Sequence, residues 1–311
     1  MKPEKITRTT DYFDLHRICE SGQIFRMYDR GDGFFDVFSA NRHLRLRQQG
    51  KTVDFYCSQD AFETYWRRFF DLDRDYGAIV RAAASGDEYV ERACRFGAGI
   101  RILHQDIWEM MISFIISQQK QIPSIRKCIE ALCERFGERM REPVPGPENG
   151  MNMDAGEYFE WYAFPTPQSI AAGGPDGLKG LSLGYRERYI YETAVKYLTD
   201  GLPDEILENM GLDEAKAWFA SYCGIGEKVA NCICLFGAGY VDAFPIDTHI
   251  KDILYREYYL KNQGSAKGSR DHGLSQSDYE KLVSVYFDRF RGYRGIVQQW
   301  IFAWEIAKHK E

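Results

Sequence analysis

Residues 213–236 predict two helices joined by the short turn Cys223-Gly224-Ile225-Gly226. Two glycines around one apolar residue let the backbone reverse direction at once and leave its peptide groups exposed. The N–H groups that open the second helix then point outward with the positive end of the helix dipole, which suits a phosphate. The turn therefore indicates contact with a nucleic-acid backbone, although an ordinary αα-hairpin also uses glycines for close packing alone.

Two reactive side chains accompany this turn. Lys228 follows Gly226 by two residues, and Asp247 follows Pro245 at the start of the next helical segment, 19 residues further on (247 − 228). A lysine amine can attack C1′ of a sugar and form a Schiff base, which permits β-elimination of the 3′ phosphate. A carboxylate can stabilise positive charge on that sugar and assist proton transfer. The alternatives are a solvated surface lysine and an aspartate that only caps the following helix.

Composition narrows the class of protein. A length of 311 residues suits two domains, and a hydrophobic fraction of 44% with 15% aromatic residues supports a packed core. No stretch approaches the ~18 apolar residues of a membrane span, and residues 1–8 contain no apolar signal core. We therefore expect a cytoplasmic monomer, associated with the nucleoid if the source is bacterial, and no membrane partner.

Charge and cysteine spacing exclude further classes. A net charge of −6 counts against a non-specific nucleic-acid coat protein, but it leaves room for a focused set of phosphate contacts. The eight cysteines contain no CxxC pair, and the six histidines do not cluster beside them. Small buried apolar residues explain such cysteines better than a zinc or iron–sulfur site. We therefore expect neither a metal nor an organic cofactor.

The hydrophobic pattern predicts an α+β fold. Three short runs alternate with period two and form an antiparallel meander, namely residues 34–38, 43–47 and 52–56. From about Ala61 the pattern is helical, with helices expected at 106–119, 124–136, 187–199, 213–222, 227–236, 248–259, 278–290 and 295–308. Ser124 and Asp213 are candidate N-caps and Gly137 a candidate helix stop. The prediction is a small antiparallel-sheet N-terminal domain (residues 1–100) followed by a helical body (101–311).

Two stretches lack this periodicity. Residues 141–167 are rich in Pro, Gly, Asn and Met and predict a long loop. Residues 261–277 are polar and contain three glycines, which predicts a mobile surface insertion. Whether the insertion touches nucleic acid stays open.

Several further motifs occur in order along the chain. They are Ser21-Gly22-Gln23-Ile24-Phe25-Arg26, Phe70-Asp71-Leu72-Asp73, Ile112-Ser113-Phe114-Ile115-Ile116-Ser117-Gln118-Gln119, Leu181-Ser182-Leu183-Gly184-Tyr185-Arg186 and Gly295-Ile296-Val297-Gln298. Together with the turn and Asp247, they resemble the helix-hairpin-helix, Gly/Pro-Asp superfamily of DNA glycosylases, within it the 8-oxoguanine DNA glycosylase/AP lyase branch. Each motif alone is weak, whereas the ordered set spans almost the whole chain. The resemblance implies a helix-hairpin-helix glycosylase body and double-stranded DNA containing oxidised guanine as the partner.

The resemblance also implies roles for individual residues. Lys228 would be the Schiff-base nucleophile and Asp247 the essential carboxylate, with Gly224, Gly226 and His249 at the DNA backbone. A base flipped out of the stack needs a surface to stack on and groups to pair with. The implied base-recognition set is Gly22, Cys232, Gln298 and Phe302. Gln298 and Phe302 share a face of the last helix at i, i+4, and the Gly22 carbonyl would accept the N7–H that guanine lacks. Periodicity alone favours core residues for Phe302 and Cys232, a surface residue for Gln298 and a turn for Gly22, and the ordered resemblance reverses that preference.

The gap left by a flipped base must be filled. The resemblance places the wedge and the readers of the opposite base at Gln119, Lys120, Gln121, Ser124, Tyr185 and Arg186. Eukaryotic members of the branch carry an arginine where this chain has Ser124. Loss of a guanidinium removes bidentate readout of the unpaired cytosine. Our hypothesis is therefore relaxed discrimination for cytosine opposite the lesion.

Three alternatives remain at this stage. Endonuclease III-like and adenine-specific members of the superfamily end in four clustered cysteines, whereas the last cysteine here is Cys234. Alkylbase glycosylases lack the hairpin lysine that Lys228 supplies. A non-catalytic hairpin module for DNA binding explains Gly224 and Gly226 but not the Lys228/Asp247 pair.

Overall fold

The computed structural model describes residues 4–84, 86–143, 158–201, 207, 209–263 and 273–308. The N-terminal part is a five-stranded antiparallel sheet of order β1-β5-β4-β3-β2. Its strands are β1 Ile6–Thr9, β2 Met27–Gly31, β3 Phe34–Ser39, β4 Arg42–Gln49 and β5 Thr52–Tyr56. The three predicted strands are confirmed as β3 to β5. The pattern missed β1 and β2 because both are edge strands with mostly polar, exposed residues.

The rest of the described chain is mainly helical. The α-helices are α1 Leu15–Glu20, α2 Gln59–Ala61, α3 Arg67–Phe69, α4 Tyr76–Ala83, α5 Glu88–Gly97, α6 Ile107–Ser117, α7 Ile122–Phe136, α8 Pro167–Gly177, α9 Arg186–Asp200, α10 Leu212–Ala220, α11 Glu227–Phe236, α12 Thr248–Ile253, α13 Leu260–Gln263, α14 Gln276–Phe287 and α15 Arg294–Lys308. Phe62–Trp66 and Leu254–Tyr259 are π-helical, and Asp288–Phe290 is a 3₁₀ turn. All eight predicted helices are confirmed to within a few residues. None of the described helices is long and apolar enough to cross a bilayer.

The buried residues form two main cores. The smaller core lies under the N-terminal sheet and includes Phe55 and Trp66. The larger core fills the helical body around α6, whose residues from Ile107 to Ile116 are all buried. Helix α5 contributes Val90 to the larger core. Helix α5 therefore packs into the helical body although it precedes residue 100 in sequence. The domain boundary at residue 100 stays a prediction.

The predicted loop at residues 141–167 is wrong at both ends. Strand β6, Arg139–Pro143, pairs antiparallel with β7, Tyr158–Tyr162. Phe159 and Trp161 pack on Phe38 of the sheet, with ring centroids 5.8 and 5.1 Å away. Helix α8 begins one residue after Thr166, whose side chain caps it, and its glycines and prolines hid it from the pattern. Residues 144–157 lie outside the described part of the chain, as do 264–272 of the predicted insertion.

Two of the three predicted helix ends are wrong. Helix α7 begins after Gln121, with Pro123 in its first turn, so that Ser124 lies inside the helix. Proline suits this position because its φ is already helical and its missing N–H would be unpaired anyway. Asp213 lies in the first turn of α10, which begins after Gly211. Gly137 does end α7, and its N–H donates to the Cys133 carbonyl at 2.8 Å.

Candidate active site

The two glycines of the α10–α11 turn differ in what they do. Gly224 has φ +79°, and a Cβ there would lie 2.4 Å from Cδ2 of Tyr189, so only glycine fits. Gly226 is the N-cap of α11, and a Cβ there would meet nothing within 4 Å. Close packing therefore explains Gly224 but not Gly226. The exposed Gly226 leaves the first N–H groups of α11 accessible to an anion.

The turn is held by a glutamine that sequence reasoning missed. Gln118, just after α6, donates from Nε2 to the Gly224 carbonyl at 2.8 Å. The Gln118 carbonyl in turn accepts from Nη2 of Arg186, whose Nη1 donates to the Leu183 carbonyl at 3.0 Å. Arg186 is buried, and its guanidinium stabilises the backbone at Gln118, which in turn holds the Gly224 carbonyl.

The predicted wedge and opposite-strand residues lie beside this turn. Gln119 is exposed with φ +52°, and Lys120 Nζ donates to the Ser182 carbonyl at 2.9 Å. Tyr185 is 49% exposed, and its ring stacks on the Arg186 guanidinium at 4.3 Å. Gln121, Ser124 and His249 are also exposed. The α6–α7 connection and the start of α9 thus form one polar surface beside the hairpin.

Lys228 lies in the first turn of α11, half-buried, with Nζ 5.3 Å from the centre of the Phe114 ring. One turn further on, Cys232 is buried. Burial raises the pKa of the Cys232 thiol, with Lys228 lowering it and Asp247 raising it. Lys228 lies one helical turn before Cys232 on the same face of α11, and Asp247 is among the charged groups that act on the thiol.

Asp247 is the N-cap of α12. Its Oδ1 accepts the Ile250 N–H at 2.8 Å. The capping role proposed from sequence is therefore real, and it occupies one carboxylate oxygen. It also fixes the orientation of the carboxylate relative to the helix, so capping and chemistry are compatible.

Asn231 connects the lysine helix to the aspartate segment. Its Nδ2 donates to the Glu227 carbonyl at 2.9 Å, and its Oδ1 accepts the Phe244 N–H at 3.1 Å. Sequence reasoning missed this residue. The available signal was a single amide in the otherwise apolar run from Val229 to Phe236. The pair of bonds joins α11 to the segment that leads to Asp247.

The last helix, α15, lies beside α12, where Phe302 approaches His249. We call the region bordered by Lys228, Asp247 and Phe302 the cleft. Gln298 is 3% exposed, and its Oε1 has no hydrogen-bond partner among the described residues. A buried unpaired acceptor costs about 1–3 kcal/mol, so this oxygen is positioned to gain from a ligand. The centre of the Phe302 ring lies 6.1 Å from the centre of the His249 ring. A Cβ added to Gly22 would lie 3.1 Å from the Phe302 ring. The structure therefore brings Gly22, Phe302 and His249 together from three distant parts of the chain.

The structure has a cavity beside Lys228 and a larger one away from the predicted site residues. A cavity of about 350 Å³ between the hairpin and α14 is lined in part by Lys228, Asn231 and Ile246. A larger cavity of about 820 Å³ is lined in part by Trp108 and Tyr197 and includes none of the predicted site residues.

All eight cysteines are free thiols. The described residues contain no group of three or more His, Cys, Asp or Glu side chains arranged to hold a metal ion.

Comparison with known families decides the class. A family model described as "8-oxoguanine DNA glycosylase, N-terminal domain" matches residues 5–111. A second, "HhH-GPD superfamily base excision DNA repair protein", matches residues 112–274. The chain belongs to the HhH-GPD superfamily. The resemblance drawn from the sequence motifs is confirmed.

Individual relatives agree with this assignment. The N-glycosylase/DNA lyase of Saccharomyces cerevisiae is 27% identical over 291 residues, 85% of this chain and 73% of that protein. An N-glycosylase/DNA lyase of Arabidopsis thaliana is 25% identical and covers 99% of this chain and 81% of its own length.

Solved structures share the α+β fold. The Clostridium acetobutylicum 8-oxoguanine glycosylase/lyase, in complex with double-stranded DNA containing cytosine opposite to 8-oxoG, has a TM-score of 0.83 and 26% identity and covers 99% of this chain and 97% of its own. A 3-methyladenine DNA glycosylase from Archaeoglobus fulgidus has a TM-score of 0.71 at 18% identity, covering 97% of this chain and 98% of its own. Enzymes named for different bases thus share this fold, so the fold alone does not specify the base.

Proposed function

We propose that this protein excises 8-oxoguanine from double-stranded DNA and then cleaves the strand at the abasic site. The observation that carries the proposal is the placement of Lys228 in the first turn of α11, directly after the glycine turn, on the helix that Asn231 joins to the segment leading to Asp247. The names of the matching relatives, N-glycosylase/DNA lyase, support the same pair of activities. The match of residues 5–111 to an 8-oxoguanine glycosylase domain supports the choice of base.

The chemistry follows from the side chains in the cleft. The damaged base leaves the stack and enters the cleft, where Phe302 offers a stacking face and Gln298 an amide for the purine edge. The Lys228 amine, once deprotonated, attacks C1′ while the glycosidic bond breaks. The electron pair of that bond leaves with the base, which takes up the proton that the attacking nitrogen releases. Asp247 stabilises the positive charge that develops on the sugar. Rearrangement to the Schiff base then allows β-elimination of the 3′ phosphate.

Recognition of the lesion would use a backbone group. In 8-oxoguanine N7 carries a hydrogen, whereas N7 of guanine is an acceptor. The carbonyl of Gly22, beside the Phe302 ring, would accept this N7–H. Guanine would instead leave two acceptors facing each other, which costs about 1–3 kcal/mol. We also propose that a monomer is the active unit.

Outside the cleft, the exposed groups would hold the duplex. Gly226 and His249 would contact phosphates, and Gln119 would enter the gap that the flipped base leaves. Lys120, Gln121, Ser124 and Tyr185 would lie along the opposite strand. Arg186, held by two carbonyls, supports this surface in the conformation described.

Borohydride trapping tests the proposal. The protein is incubated with labelled duplex containing 8-oxoguanine opposite cytosine, and sodium borohydride is added to reduce any Schiff base. We expect a covalent complex with the natural chain and none with Lys228→Gln, which should still bind the duplex. Lys281→Gln is the matched control, because Lys281 is an exposed lysine on α14, paired only loosely with Asp278 at 3.8 Å.

Two results would redirect the interpretation. Duplex binding without trapping or excision would indicate a non-catalytic module. Excision of an alkylated base, adenine or an oxidised pyrimidine in place of 8-oxoguanine would move the protein to another branch of the superfamily.

A further inference from the structure

Gln299, next to Gln298 on α15, reaches a different partner. Its side chain is 2% exposed, and Nε2 donates to the Ser21 carbonyl at 2.7 Å. The two residues are 278 positions apart in sequence. The bond therefore ties the last helix directly to the turn that carries Gly22.

The other side of Gly22 is held independently. Gln23 is fully buried and donates from Nε2 to the Arg101 carbonyl at 2.9 Å, while its Oε1 accepts the Leu103 N–H at 2.9 Å. Its backbone carbonyl accepts from Nε2 of Gln105 at 2.8 Å. The peptide after Gly22 thus joins a residue that is fixed by its own network.

The Ser21 side chain is also bonded, since its Oγ donates to the Ile18 carbonyl at 2.7 Å and accepts from Nε2 of Gln23 at 3.1 Å. These bonds hold the side chain, whereas the Gln299 bond acts on the carbonyl of the peptide that leads into Gly22. Gly22 has φ +79° and no Cβ, so both of its dihedral angles are free to vary. The Ser21 carbonyl belongs to the peptide whose orientation sets φ of Gly22. The Gln299 bond holds that carbonyl, so with Gln23 fixed on the far side the backbone is restrained both before and after Gly22.

We propose that Gln299 is a positioning residue that orients the Ser21–Gly22 peptide and thereby aims the Gly22 carbonyl at the base. This inference rests on the proposed function, in which that carbonyl reads N7–H of 8-oxoguanine. One helix would then supply the amide for the purine edge (Gln298), the stacking ring (Phe302) and the group that sets the lesion reader (Gln299). A shift of α15 would move all three together.

The test separates base recognition from the later lyase step. Gln299→Met removes the donor but keeps length and apolar bulk, so the packing of α15 is preserved. We expect its single-turnover excision of 8-oxoguanine to fall roughly tenfold, which corresponds to about 1.4 kcal/mol. A preformed abasic site has no base to be recognised. The rate at which Gln299→Met cleaves such a site should therefore stay within about twofold of the rate of the natural chain.

Two further variants guard against a purely structural effect. Gln299→Asn keeps an amide but is one methylene too short to reach Ser21, and we expect the same selective loss. Trp300→Phe removes another buried donor of α15, the Nε1–H that bonds the Ile100 carbonyl at 2.8 Å. We expect Trp300→Phe to leave the ratio of excision to abasic-site cleavage unchanged, even if its melting temperature falls.

The outcomes separate the two proposals. Natural excision rates in Gln299→Met and Gln299→Asn, or a parallel fall of excision and abasic-site cleavage, would overturn the role of Gln299 and leave the proposed function intact. Failure of the natural chain itself to excise 8-oxoguanine would overturn the proposed function, and the inference with it.

Discussion

Gly22 offers a prediction whose magnitude follows from the structure. Its φ of +79° lies in the left-handed region, which costs an L-residue about 1–2 kcal/mol. A Cβ there would lie 3.1 Å from the Phe302 ring, about 0.4 Å inside the ordinary carbon–carbon contact of ~3.5 Å. In Gly22→Ala the ring or the turn must therefore move by a few tenths of an ångström. Since both would contact the base, we expect 8-oxoguanine excision to fall tenfold or more.

Gly31→Ala is the matched control for this variant. Gly31 has nearly the same φ, +81°, but a Cβ there would meet nothing within 4 Å. Both variants should lose about 1–2 kcal/mol of unfolding free energy in urea titrations. Only Gly22→Ala should lose single-turnover excision, and it should retain cleavage of a preformed abasic site. Undiminished excision by Gly22→Ala, or an equal loss in Gly31→Ala, would refute the reasoning.

Three more predictions concern charge, pH and the opposite strand. Asp247→Asn still accepts the Ile250 N–H as a helix cap but loses the negative charge, so excision should fall about a hundredfold or more with little change in melting temperature; a large drop in melting temperature would contradict this separation. Burial raises the pKa of Glu109, which accepts the Ala40 N–H at 2.8 Å, from 4.5 to about 7. Because the pKa of this carboxyl is higher in the folded protein, the protein loses unfolding free energy as pH rises from about 4.5 to about 7. Urea titrations at pH 5 and pH 8 should show this loss in the natural chain, and Glu109→Gln should lose up to about 3 kcal/mol less between the two pH values. Identical pH dependence in both proteins would count against it. With Ser124 in place of an arginine, excision opposite cytosine should exceed excision opposite the other bases by less than about a hundredfold, or ~2.7 kcal/mol, in a four-duplex comparison.

Local rules predicted the elements whose signal is local. Alternation over residues 34–56 identified β3 to β5, and helical periodicity identified α11 with the bounds observed. The same rules missed β6 and β7, because a two-stranded hairpin depends on packing against Phe38, about a hundred residues earlier. The Ser124 cap failed because Pro123 already determines where the helix starts.

In the candidate site, too, residues with a local sequence signal were predicted, and residues whose partners are remote in sequence were missed. Lys228, Asp247 and the glycine turn were identified within one stretch of sequence, and in the structure Asn231 joins the lysine helix to the segment that leads to the aspartate. The residues that hold them were missed, because their partners are remote in sequence. Gln118 bonds Gly224 across 106 positions, and Gln299 bonds Ser21 across 278. A glutamine in a helical pattern carries no sign of such a partner, whereas a reactive amine after a tight turn does.

The central claim is that Lys228 forms the covalent link to DNA. The most direct measurement is mass spectrometry of the borohydride-trapped complex after digestion with protease and nuclease. We predict a reduced deoxyribose adduct on the peptide that contains Lys228, and on no other lysine. An adduct on another lysine or on the N-terminal amine, with Lys228 unmodified, would contradict the account.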